Sequence, residues 1–262
     1  MSELLKRITI ALIFGGSLIF CSFNNFLLFL YLQFFLFIAG LELIRIYRLR
    51  LFNFSWIYYL YPFLNILLLT FFYFSQKLDL LLFLFLIILT IITLLRRPLT
   101  IDNLVFGIFY FVYLGILPSH LFLLKRLVSQ KQFSHWIFLF PLFFTWFNDT
   151  VAYFSGSILG RHKIAKDISP NKSVEGLIFS IIFSLPFTLI YLKKLASPLN
   201  LIILSVSLSF LAFFGDLLES LMKREVKIKD SSNLLLAHGG FLDRIDSLLF
   251  TIPGFYYFLI TQ

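Results

Sequence analysis

A single cysteine, Cys21, stands in 262 residues, so no intrachain disulfide can form and the redox compartment stays open. Four histidines, His120, His135, His162 and His238, show no ligand spacing, and with the lone thiol remote from them zinc is not expected. Charge is scarce as well: only 13% of residues are Asp, Glu, Lys or Arg, and a soluble domain of this length needs far more polar surface. Lys6 and Arg7 precede an apolar run, but residues 20 to 25 offer no small-residue cleavage site, so the run reads as an uncleaved first helix. No low-complexity tract, short repeat or soluble domain interrupts the chain.

What remains is grease. Hydrophobic residues make up 60% of the chain, 37 residues are Phe, and the mean hydropathy is +0.95. About 20 apolar residues cross a hydrocarbon core of about 30 Å, so several spans fit. Candidate helices fall near residues 8 to 23, 26 to 44, 55 to 75, 79 to 95, 101 to 123, 135 to 157, 174 to 192, 199 to 219 and 243 to 260. These runs are long and continuous rather than alternating, which selects helices over a closed barrel. The expected fold is an all-α polytopic integral membrane protein of about nine transmembrane helices. It forms one membrane domain, residues 1–262, with a motif-poor N-terminal half to 134 and a motif-rich half from 135.

The bases divide unevenly when the connections are assigned alternately to two sides. Lys77, Lys125, Arg126, Lys131, Lys193 and Lys194 fall on one side and the other sixteen of the 22 Lys and Arg on the opposite side. The positive-inside bias then places the N-terminus and both charged connections in the cytoplasm, with the protein in the cell's inner membrane. A net charge of +9 also suits anionic lipid headgroups, which accounts for Arg45, Arg48 and Arg50 and calls for no nucleic-acid partner.

The first charged connection opens inside the sixth helix. Asp149, Tyr153, Gly156 and Gly160 step by four, three and four residues onto one helical face. Gly156 and Gly160 alone read as a packing device, but an acid on that face of an apolar span marks function. Ser169, Lys172 and Ser173 then precede Glu175 and Gly176 at the next helix. Hydroxyls, a lysine and exposed amides at a helix N-terminus suit a phosphate; Ser173 also suits an N-cap, and the readings are compatible.

The second charged stretch is the most informative. Asp216 and Glu219 are three apart with Ser220 four from Asp216, and Asp243 and Asp246 repeat the three-residue step at the last helix. Helices packed side by side would bring the two acidic pairs face to face around a hard cation. Mg²⁺ fits, since it takes oxygen ligands and bridges carboxylates to substrate phosphates. The plain alternative is a set of helix-terminal salt bridges with Lys223, Arg224 and Arg244.

Residues 220–246, SLMKREVKIKDSSNLLLAHGGFLDRID, carry Ser220, Lys223, Arg224, Lys229, Asp230, His238, Gly239, Gly240, Asp243, Arg244 and Asp246. At these spacings the stretch resembles the signature of the phosphatidate cytidylyltransferases (CDP-diacylglycerol synthases). Asp149 to Tyr153 with Gly156 and Gly160, Ser169-Pro170 with Lys172 and Glu175-Gly176, and Gly215-Asp216 with Glu219-Ser220 extend the resemblance over the C-terminal half. The chain departs from the family in having Leu235-Leu236 where Pro usually precedes the His, and Lys172-Ser173 where Lys-Thr is usual.

The resemblance implies transfer of CMP from CTP to phosphatidate with Mg²⁺, and a second cation is compatible with it. Asp216, Asp243 and Asp246 would hold the metal. Lys172, Ser173, Lys223, Arg224 and Lys229 would hold phosphate groups, and Arg244 would bind phosphate or orient its flanking acids. Asp149, Ser169, Glu219, Ser220, Asp230, His238, Gly239 and Gly240 complete the expected substrate site. The expected partners are CTP, phosphatidate and the bilayer, and a homodimer is compatible with a membrane enzyme. Two other classes remain open: a CTP-dependent polyprenol or phytol kinase, which differs in product, and a transporter, whose charges are expected in mid-membrane in both halves.

Overall fold

The computed structural model describes residues 3–50, 56–75, 77–95, 101–235 and 239–262. His238, Arg96 and Arg97 lie outside these described residues. Among the described residues the stretches read as apolar helices are helical, apart from the break in the last one: α1 (Glu3–Ser22), α2 (Asn25–Arg50), a 3₁₀ turn (Trp56–Tyr59) leading into α3 (Leu60–Ser75), and α4 (Leu78–Leu95). There follow α5 (Ile101–Phe111), a π turn (Val112–Ile116), α6 (Leu117–Gln130), α7 (His135–Leu159), α8 (Val174–Tyr191), α9 (Pro198–Glu225), α10 (Leu242–Ile245) and α11 (Leu248–Ile260). Among the described residues five helical stretches are long and apolar enough to cross a membrane: 25–50, 102–130, 135–159, 174–191 and 198–225.

Three features differ from the sequence expectation. The connection 158–173 contains an antiparallel pair, β1 (Lys163–Ala165) and β2 (Ser169–Ser173), so the protein is mainly rather than entirely helical. Helix α9 runs to Glu225 instead of ending near 219, which puts Ser220, Lys223 and Arg224 on a helix rather than in a loop. The last helix does not begin at Asp243 in one piece: α10 stops at Ile245 and α11 starts at Leu248.

The chain divides into two compact units, residues 1–122 with 230–242, and 123–229 with 243–262. Part of the signature stretch, residues 230–242, therefore belongs with the N-terminal helices. In the first unit α2 is the central helix. Residues 42–44, 46 and 47 are buried on nearly all sides, and α1 and α3 pack on it. Gly40 admits Tyr110, whose hydroxyl lies where a β-carbon would be. Tyr47 stacks on Phe106 at 3.6 Å, and Tyr58 donates a hydrogen bond to Asn103. The π turn frees a carbonyl, and Asn65 Nδ2 donates to Leu114 O at 2.8 Å.

In the second unit α7 packs on α8, α8 on α9, and α11 on both α9 and α7. Small residues line these contacts, as apolar helices in lipid require for close approach. A β-carbon on Gly176 would lie 2.9 Å from Ala152 O and 3.3 Å from Gly156 Cα. Ser180, Ser184 and Thr188 line the buried face of α8, and Ser184 donates to Asn148 Oδ1 at 3.2 Å. Thr145 on α7 meets Thr251 on α11 at 2.9 Å, beneath the ring cluster of Phe140, Phe144, Phe187 and Phe255.

Candidate active site

The second unit gathers charge at the C-terminal end of α9. Asp216, Glu219 and Ser220, and then Lys223 and Arg224, occupy successive turns of that helix. Ser220 Oγ donates to Asp216 Oδ1 at 3.2 Å. Lys223 is buried and forms ion pairs with Glu219, one turn earlier, and with Asp243 Oδ1 at 2.6 Å. Two carboxylates thus share one ammonium, an arrangement that offsets the cost of keeping each from water.

Gly215 decides how near α9 comes to the segment before α11. A β-carbon there would stand 2.6 Å from Asp246 O and 3.0 Å from Ser247 Cα, so only glycine permits this approach. The result places Asp216 beside Asp246. Asp246 Oδ1 accepts a hydrogen bond from Ser247 N at 2.7 Å. Desolvation, reinforced by the carboxylates of Asp216 and Asp149, holds the Asp246 carboxyl well above its ordinary range.

The β hairpin supplies the facing base. Lys163 pairs with Ser173 and Ala165 with Ser169, and Glu175 on α8 ties the connection down by accepting from Arg161 N at 3.1 Å and His162 Nδ1 at 2.5 Å. Lys172 on β2 thereby reaches α9, with Nζ 3.0 Å from Asp216 Oδ2, 3.3 Å from Phe213 O and 4.8 Å above the Phe213 ring. Ser173 is the N-cap of α8, its Oγ accepting from Gly176 N at 3.1 Å. Arg224 spans two loops, donating to Ile168 O at 3.1 Å and Ile228 O at 2.9 Å. Ser169 is half-buried, while Lys229 and Arg244 are exposed.

The sequence therefore anticipated two facing acidic pairs, and the second unit contains them in crossed form: Asp216 with Asp246, and Glu219 with Asp243 through Lys223. The three acids expected to share a cation are not equivalent. Asp243 is engaged by Lys223, whereas Asp149, expected only to contact substrate, acts on Asp246 together with Asp216. Among the described residues no three His, Cys, Asp or Glu side chains close on a metal position by themselves. A paired Asp216 and Asp246 with excess negative charge nevertheless suits Mg²⁺, which takes one or two carboxylates and completes its octahedron with water and phosphate oxygens.

The first unit holds the rest of the signature stretch. Gly239 has φ 76°, in the left-handed region that favours glycine, and its carbonyl accepts from Leu235 N at 3.0 Å. Asp230 is exposed. Glu42, which sequence reasoning passed over, is buried here and bonded to this stretch. Its only sequence signal was an acid within an apolar run.

Residues 5–261 match the Cytidylyltransferase family. A phosphatidate cytidylyltransferase of Bacillus subtilis strain 168 is 36% identical over 188 residues, 71% of this chain and 68% of that protein. One from Haemophilus influenzae is 39% identical over 142 residues, 52% of this chain and 49% of the relative. One from Staphylococcus saprophyticus is 34% identical over 170 residues, 64% of this chain and 63% of the relative. With the match running almost end to end, the chain belongs to the cytidylyltransferase family.

Proposed function

We propose that this membrane protein is a phosphatidate cytidylyltransferase, transferring CMP from CTP to phosphatidate to give CDP-diacylglycerol and pyrophosphate for phospholipid synthesis. A phosphate oxygen of the lipid attacks the α-phosphorus of CTP, and the bond to the β-phosphate breaks. Both substrates are polyanions, so the first requirement is to bring like charges together. The observation that carries the reading is the meeting of Lys172, Asp216 and Asp246 within the stretch that matches the family.

Asp216 and Asp246 would hold Mg²⁺, with Asp149 alongside; the bound ion supplies charge neutralisation and polarises phosphoryl oxygens. Lys172 is already at the acidic pair and serves to meet a phosphate there. Lys223 fixes Asp243 and Glu219 from beneath, so its role in this reading is to set the electrostatic floor of the site. Arg224 braces the hairpin that presents Lys172, and Lys229 and Arg244 are exposed to solvent, where they would meet triphosphate or headgroup. No strong base is needed, since a phosphate monoester is largely dianionic near neutral pH. The same proposal includes about nine spans and a cytoplasmic site, on the support of the Lys and Arg distribution.

The test uses detergent-solubilised protein with phosphatidate, α-labelled CTP and Mg²⁺, following label in lipid and pyrophosphate release. Equal, metal-dependent appearance of both is expected, and Asp216→Asn and Asp246→Asn should each abolish it in a folded protein. CDP release with no lipid label, or normal turnover by either variant, would overturn the assignment.

A further inference from the structure

Glu42 lies in the C-terminal half of an apolar helix and is only 3% exposed. A buried carboxylate persists only where donors surround it. Among the described residues there are four. Ser231 Oγ donates to Oε2 at 2.9 Å, Ser232 Oγ to Oε1 at 2.5 Å, Phe241 N to Oε1 at 3.0 Å and Leu242 N to Oε2 at 2.8 Å. The donors come in two adjacent pairs, one from each end of the stretch 231–242. A single side chain of α2 thus ties both ends of that stretch together.

The surroundings are shaped for this carboxylate. A β-carbon at Gly240 would fall 2.5 and 2.6 Å from the two Glu42 oxygens and 2.0 Å from Ser231 Oγ, so the second glycine of the pair makes room for the acid. Phe241 then packs edge-on against Phe35 at 4.9 Å, Phe14 at 5.4 Å and Phe34 at 6.2 Å. Polar ties on one side and aromatic rings on the other leave the backbone at 241–242 little freedom. One peptide bond further along the chain is Asp243, the partner of Lys223.

We propose that Glu42 is a positioning residue for the transfer reaction, an anionic hub that fixes where the signature stretch delivers its chain to Asp243. The proposal rests on the cytidylyltransferase reading. Only a carboxylate satisfies all four donors, because both of its oxygens accept and neither donates. In Glu42→Gln the amide nitrogen would confront at least one donor; a hydroxyl can turn to accept from it, but a backbone N–H cannot.

The experiment compares wild type with Glu42→Gln, Glu42→Asp and the double variant S231A/S232A in detergent. It reads helicity, thermal midpoint, steady-state transfer and amide hydrogen exchange of the peptide covering 231–242. For Glu42→Gln exchange at Phe241 and Leu242 should quicken, and kcat should fall about 100-fold, the loss typical of a reacting group displaced by about 1 Å. The KM for phosphatidate should stay nearly constant. Glu42→Asp, which keeps the charge on a shorter arm, should fall between the two.

If Glu42→Gln does not fold, S231A/S232A decides, with quickened exchange and reduced kcat expected. A folded Glu42→Gln with wild-type kcat, or with lost kcat but unchanged exchange, would overturn the proposal, as would a folded S231A/S232A unchanged in both. A wild type inactive in cytidylyl transfer would instead sink the assigned reaction, and the exchange rates alone would then show whether the hub exists.

Discussion

Gly215→Ala tests the placement of the acidic pair with the smallest available perturbation. The added methyl would lie 2.6 Å from the carbonyl oxygen of Asp246, 3.0 Å from Ser247 Cα and 3.0 Å from Phe250 Cδ2. The phenyl ring can turn aside, but the other two atoms are backbone. Restoring ordinary contact near 3.4 Å needs the Asp246 carbonyl to retreat by about 0.8 Å. Overpacking of this kind costs about 1–3 kcal/mol. Replacing a mid-helix glycine by alanine returns about 1 kcal/mol of helix propensity. The two effects nearly cancel, so net destabilisation should be between zero and about 2 kcal/mol, and the variant should fold.

Activity has no such compensation. A shift of about 0.8 Å between Asp216 and Asp246 approaches the displacement that costs a positioned site about 100-fold in rate. The assay is transfer of α-label from CTP into lipid, alongside a thermal scan in detergent. Gly16→Ala in α1, where nothing lies within 4 Å of the new methyl, is the control: its activity should match wild type, and its thermal midpoint should rise by the helix-propensity gain alone. If folded Gly215→Ala turns over within about threefold of wild type, the close approach does not set the reacting geometry.

Two further outcomes follow from the charges. Lys223→Met should destabilise by about 3–5 kcal/mol in thermal or denaturant unfolding, because it leaves the Glu219 and Asp243 carboxylates without the ammonium they share; a midpoint unchanged from wild type would refute the shared ion pair. Asp246, held above its ordinary range by desolvation and by Asp216 and Asp149, binds its proton more tightly folded than unfolded. Stability without divalent cation should therefore be greatest below the ordinary carboxylate value of about 4 and decline as pH rises through the window up to the raised value. Asp246→Asn should flatten that decline in chelator, and Mg²⁺ should reverse it in wild type; a wild-type profile that rises over this window would contradict the assignment.

Much of the fold was legible because the bilayer enforces it. Backbone groups in lipid must bond within their own segment, so long apolar runs leave helix as the answer and their positions follow from hydropathy. Hydropathy fails where charge begins. Residues 223–225 are Lys-Arg-Glu, and a reading by hydropathy ends α9 before them, yet i,i+4 contact between Glu219 and Lys223 continues the helix. The hairpin at 163–173 went unseen for a similar reason. It is two strands of only three and five residues, held by Glu175 accepting from Arg161 and His162, too short for any alternation to announce them.

The candidate site was legible where its chemistry lies close in sequence and hidden where it does not. Asp216 with Glu219, and Asp243 with Asp246, announce themselves by spacing. It does not imply which acid meets which base. Lys223 reaches Asp243 because the chain returns beside the end of α9, a tertiary fact with no local trace. Glu42 is the extreme instance: two of its four partners are backbone amides some 200 positions away, and an amide has no letter in a sequence. What distinguished Glu42 beforehand was its cost alone, since a charge inside an apolar run must be answered by donors somewhere. In a membrane protein such isolated acids merit the same attention as motifs, because lipid cannot supply the donors and the fold therefore must.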